Sequence, residues 1–193
     1  MQVSEIWRSF CIPLGYGTDN ENPERREWLR FVGTLINSCP LPTVALPGAV
    51  VGNANISEAR ATLEGLEKLG FFFHKTILEE NSRTTRDNII NLKPYILEWA
   101  KQIIAEAHQT LVLYVHIFCD LLREARVSWL AHKHYASIHD IIVVTHGFPF
   151  ERTDWERFRE KVSLQIEKAN YYCPQVASSL EIVRRPSLLR KFK

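Results

Sequence analysis

The chain is 193 residues long, 46% hydrophobic and 24% charged, enough for one ordinary domain or two small ones with a real core, which excludes disorder as the state of the whole. Formal net charge is +2, yet the last thirteen residues carry Arg184, Arg185, Arg190, Lys191 and Lys193 against Glu181, so residues 1–180 are about −2. A body of that sign excludes a broad basic footprint for nucleic acid and leaves only a local patch, the tail, or a dimer that joins patches.

Residues 1–23 are expected to form an amino-terminal arm. Ile6, Trp7, Phe10 and Ile12 suggest a short amphipathic turn, and Pro13-Leu14-Gly15-Tyr16-Gly17-Thr18-Asp19-Asn20 reads as loop. Gly15-Tyr16-Gly17 is not read as a phosphate loop, because a following glycine and lysine are missing and no apolar strand is expected before it. The terminus also lacks the basic start and apolar core of a signal peptide. No apolar run reaches the roughly eighteen residues of a membrane span, the longest being broken by His116 and Asp120, so a cytoplasmic protein is expected. Cys11, Cys39, Cys119 and Cys173 are far apart, which argues for reduced thiols rather than a zinc ribbon or a disulfide scaffold.

Pro23 suits the first turn of a helix, and Glu24 and Glu27 suit its positive end. Trp28, Phe31, Val32, Leu35 and Ile36 then line one face until Ser38-Cys39-Pro40-Leu41-Pro42. Thr43 to Val51 fits either a short helix begun at Pro47 or an extended connection. A second helix is predicted from the Ser57 N-cap to Leu69, with Ala59, Leu63, Leu66 and Leu69 on one face and Gly70 as its stop. Phe71 to Leu78 and Arg83 to Leu92 read as two strands around the polar turn Glu79-Glu80-Asn81-Ser82.

Helix, glycine, strand, polar loop and strand is the order of a winged helix-turn-helix. Leu63-Glu64-Gly65-Leu66-Glu67-Lys68-Leu69-Gly70-Phe71 resembles the close of the recognition helix in that superfamily, over about residues 24–93. The resemblance implies a mainly α protein with a small β-hairpin wing, and double-stranded DNA binding as a regulator or accessory factor in replication, recombination or defence. Ser57, Arg60, Ala61 and Lys68 would then face the major groove, while Lys75, Arg83, Thr84 and Arg86 would hold phosphates. Three glutamates on the same helix, Glu58, Glu64 and Glu67, oppose close approach to DNA, and they keep a rival reading open: a protein-interaction subunit of a larger nucleoprotein complex.

Residues 94–180 are expected to be a helical assembly region with one short strand. One long helix or two from Tyr95 to about Arg126 would carry a thick apolar stripe, and in winged-helix dimers such helices commonly make the interface. Asp140 to Gly147 is a β-branched run that reads as a buried strand, and Trp155 to Asn170 as a helix capped by residues 151–154. The only concentration of possible metal ligands is His116, Asp120, His132, His134 and His139, with His146 at a strand end. A histidine- or metal-dependent enzyme on these groups is the weakest of the three readings, and neither a metal nor a cofactor is expected. Residues 181–193 form a basic tail, in which Arg184, Arg185, Arg190 and Lys191 could add affinity for DNA.

Overall fold

The structure is a computed structural model, and it describes residues 6–15, 17–107, 111–138 and 141–172. Five strands, β1 (Ile6–Pro13), β2 (Thr43–Pro47), β3 (Lys75–Glu79), β4 (Leu111–Asp120) and β5 (Ile141–Phe148), form one sheet in the order β3-β2-β1-β4-β5. Every pairing is parallel, and β1 is the central strand, matched to β4 from Ile6↔Leu111 to Pro13↔Phe118. The expected mainly α protein with a hairpin wing is therefore corrected to an α/β fold of the doubly wound, Rossmann-type order.

Among the described residues the helices are α1 (Pro23–Ser38), α2 (Glu58–Lys68), α3 (Thr85–Glu106), α4 (Glu124–Tyr135) and α5 (Asp154–Tyr172), with a 3-10 turn at Leu121–Arg123. Parallel neighbours need crossovers, and right-handed crossovers place helices on both sheet faces. On one face Trp28, Leu29, Val32 and Ile36 of α1 and Ala59 and Leu66 of α2 pack on Cys11, Val44 and Leu46. On the other, Ile89, Leu92, Ile96 and Trp99 of α3 and Val127, Leu130 and Tyr135 of α4 pack on Phe10, Ile12, Leu113, Val115 and Ile117. Alternation along β1 sends Phe10 and Ile12 one way and Cys11 the other, and all three are fully buried. A strand covered on both sides reads as a continuous apolar run, which is why β1 and β4 lack a strand-like alternation in the sequence.

Four predicted elements stand where they were expected, the helix read at Trp155 to Asn170 being α5. α1 begins at Pro23 with Asn22 as N-cap, α2 begins behind the Ser57 N-cap and ends before Gly70 at φ +86°, and the run from residue 141 is β5. The expected wing is absent. Its first run supplies β3, but Arg83–Leu92 is the start of α3, which passes straight through Pro94. Proline removes a helical N–H and crowds the carbonyl four residues back. That carbonyl belongs to Ile90, a half-exposed residue, so water can satisfy it. The helical stretch expected from Tyr95 to Arg126 is split into the second half of α3, the strand β4 and the start of α4. The sheet takes β1 from the supposed arm, β2 and β3 from the supposed module and β4 and β5 from the supposed assembly region. No helix among the described residues is long and apolar enough to cross a membrane.

Candidate anion site at the carboxyl ends of the strands

In a doubly wound sheet the loops after the two central strands diverge, because their crossovers run to opposite faces, and the crevice between them is the usual ligand site. Here those strands are β1 and β4. A cavity of about 510 Å³ lies at that point, lined by Gly15 and Gly17 after β1, Val51 after β2, Ser82, Arg83, Thr84, Thr85 and Asn88 at the entry to α3, and Arg123 and Arg126 after β4. Glu58 of α2 and Arg159, Glu160 and Ser163 of α5 complete it. Four guanidiniums thus meet two carboxylates, a local positive excess inside a body that is negative overall.

Each wall has a physical reason for its place. The Glu58 carboxylate accepts the Gly17 N–H at 2.8 Å, and this ties the loop after β1 to the first turn of α2. Gly48 lets that turn come close: it sits at φ +140°, and a Cβ there would meet Glu58 Cβ at 2.7 Å. The loop after β3 is organised by buried Glu79, which accepts the Ser82 hydroxyl and, at 2.9 Å, the Asn81 N–H. The Ala49 N–H then donates to the Ser82 carbonyl at 2.7 Å, joining this loop to the one after β2. Thr84 caps α3 by accepting the Asp87 N–H at 3.1 Å, so the positive end of the longest helix opens on the cavity.

Arg126 is held by Glu160 of α5 at 2.6 Å, and Arg152 is held at 2.8 Å by Asp120, the last residue of β4. The two pairs fix α5 over the cavity mouth. Asn88 is 7% exposed, lines the cavity, and its Oδ1 has no hydrogen-bond partner among the described residues. A buried, unpartnered amide oxygen calls for a donor from a ligand or a water.

The residues expected to touch DNA do not form one surface. Ser57 is buried and donates to Glu80, whose carboxyl is held below its ordinary range by that hydroxyl and by Arg60. Arg60 pairs with Glu80 at 3.5 Å, Lys68 with Glu21 at 3.9 Å and Arg86 with Glu167 at 3.7 Å. Ala61 is fully buried, and Lys75, at the start of β3, reaches Gln102 at 3.5 Å. Arg83 and Thr84 alone of the set line the cavity. Arg184, Arg185, Arg190 and Lys191 lie outside the described residues, as does His139.

The expected histidine cluster also divides. His132 Nδ1 lies 2.8 Å from the Ser128 carbonyl on α4, while His116 and His146 face each other across β4 and β5, Nδ1 to Nε2 at 3.0 Å. No group of three or more His, Cys, Asp or Glu side chains among the described residues could hold a metal ion. Arg123, Arg126 and Arg159 escaped the sequence reading because they belong to no motif and come from two separate helical stretches. Gly15 and Gly17 still lack the glycine and lysine of a phosphate loop, but the leading strand that was not expected before them is β1.

No family model matches the chain, and neither a curated protein nor a solved structure does.

Proposed function

We propose that the protein binds a phosphate-bearing small molecule of nucleotide or sugar-phosphate size in the cavity at the β1/β4 switch point. The observation that carries the reading is the convergence of Arg83, Arg123, Arg126 and Arg159 on one cavity at the N-terminal end of α3. Guanidiniums and helix-end amides are the donors that phosphate oxygens take, and Gly15 and Gly17 let the backbone come near. Glu58 and Glu160 supply acceptors for the hydroxyls of a sugar, and the Asn88 amide oxygen accepts one more donor. A volume of about 510 Å³ suits such a ligand.

Duplex DNA binding drew its support from a winged helix. In its place α2 spends its expected recognition face on burial and on ion pairs with Glu80 and Glu21. What favours a small ligand is enclosure of the arginines among the strand-end loops and the helices α2, α3, α4 and α5.

The test is calorimetric titration of the full chain with ADP, pyrophosphate and ribose 5-phosphate, beside adenosine and ribose. Binding confined to the phosphorylated members is expected, with a loss of about tenfold or more for Arg123→Ala and for Arg159→Ala, since each charged hydrogen bond is worth roughly 1.5–3 kcal/mol. Equal affinity for neutral and phosphorylated members would overturn the reading. Salt-sensitive binding of a random duplex that ignores both substitutions would return the DNA reading to first place.

A further inference from the structure

On the opposite side of α1 from the cavity loops, a second set of reactive groups is brought together by strand register. Cys11 of β1 stands directly across from His116 of β4. Cys39, the C-cap residue of α1, is half-buried and folds over the same face, its Sγ 3.3 Å from the Leu35 carbonyl. The Cys39 thiol donates to that carbonyl, and its side chain packs against the buried cluster that contains Cys11. His116 in turn meets His146 at 3.0 Å, so Cys11, two imidazoles and the half-buried Cys39 share one face of the sheet across three strands and one helix end. Solvent reaches this region of the sheet: Trp7 is 50% exposed and Ile142 46%.

We propose that Cys39 and Cys11 are a hydroperoxide-reactive dithiol, Cys39 being the attacking sulfur and Cys11 the resolving one. The donors around Cys39, Cys11 foremost and then His116 and Ser9, draw its ionisation below the ordinary thiol range, while Cys11 is wholly buried and its own is pushed up by its bond to Cys39 and by burial. That is the division such a pair requires, a thiolate that solvent can reach beside a protonated thiol that it cannot. In the first step the Cys39 thiolate attacks one peroxide oxygen. An S–O bond forms, the O–O bond breaks, and the departing hydroxide or alkoxide takes a proton by way of His116 and His146. In the second step the Cys11 sulfur attacks Cys39: the S–S bond forms, the S–O bond breaks, and water leaves with the Cys11 proton. Two thiols are oxidised and one peroxide is reduced to water and an alcohol, or to two waters from hydrogen peroxide.

The product would staple the end of α1 to the central strand. Nothing in this rests on the anion site, which lies at the other end of α1.

Treatment of the full chain with one equivalent of hydrogen peroxide, followed by alkylation and peptide mass mapping, tests the proposal. A mass loss of about 2 Da with a Cys11–Cys39 linked peptide is expected, while Cys119, whose thiol burial pushes up to about 12, is alkylated only after unfolding. In Cys11→Ser the linked peptide disappears and dimedone labels Cys39. His116→Gln in that background slows the labelling by about tenfold or more, with the thermal midpoint measured beside it to separate rate from folding. Oxidation that spares Cys39, or Cys39 labelled by dimedone in the unsubstituted chain with no link to Cys11, would overturn the pair.

Discussion

Gly147 is the glycine whose replacement reports on both fold and site. It is the seventh residue of β5, on the α4 side of the sheet, and the 3-10 turn that carries Arg123 into the cavity passes directly over it. A Cβ at this position would meet Leu121 Cδ1 at 2.7 Å, Glu124 Oε2 at 2.9 Å and Leu121 Cα at 2.9 Å. The first two contacts belong to side chains that can turn away, but the third is backbone, so Gly147→Ala must lift the turn. Overpacking of this kind costs about 1–3 kcal/mol, and the entropy that alanine removes from the unfolded chain returns about 0.4–1 kcal/mol. A net loss of ~1–2 kcal/mol follows, equivalent to a fall in melting midpoint of about 2–8 °C for a chain of this size. Calorimetry in the absence of ligand measures that fall, and titration with ADP then measures the displacement of Arg123 as a weaker Kd. Gly70→Ala is the control: its φ of +86° strains any side chain, yet nothing lies within 4 Å, so stability should drop while affinity holds. A Gly147→Ala protein that melts with the unsubstituted chain and binds as tightly would refute the reasoning.

Three further outcomes follow from named contacts. Burial, and secondarily His116, lower the proton affinity of the His146 ring in the folded state, so the unfolded chain binds the proton more readily. Stability is then complete above the unfolded value near 6.5 and falls as pH drops through it, and His146→Gln should flatten a melting curve series taken from pH 8 to pH 5. Arg152→Ala takes from the Asp120 carboxylate, 2% exposed, the guanidinium that pairs with it at 2.8 Å, and a loss of about 2–4 kcal/mol by urea unfolding is expected, largely recovered by adding Asp120→Asn. Pro94→Ala restores a donor to the Ile90 carbonyl within α3 and should raise stability by about 1 kcal/mol, less than the full helical penalty because that carbonyl already faces water.

How much of this was legible in the sequence depended on which physical signal each stretch carries. Caps and amphipathic faces were readable, since they depend on neighbours three and four residues apart: Pro23, Ser57 and Gly70 bound α1 and α2 as expected. Buried parallel strands were not. Leu111–Asp120 is apolar on both faces, and its spacing suits a helix stripe as well as a strand. The largest error came from Pro94. Reading Arg83–Leu92 as a strand and starting the next helix only after Pro94 turns a β3-α3 crossover into a hairpin and a doubly wound sheet into a winged helix. The Thr84 N-cap with Asp87 three residues on was the local signal that a helix begins there.

The site was hidden for a different reason. Net charge argued against phosphate, since residues 1–180 are about −2. Net charge, however, governs long-range attraction, and a cavity is governed by the few groups that line it. Part of the acidity of this chain is spent on surface pairs such as Glu21 with Lys68 and Glu80 with Arg60, while four arginines gather at the strand ends. Those arginines come from positions 83, 123, 126 and 159, and what brings them together is the reversal of strand order between β1 and β4. A sequence read as a hairpin module followed by helices contains no such reversal, so no counting of charges along it could have assembled the cavity.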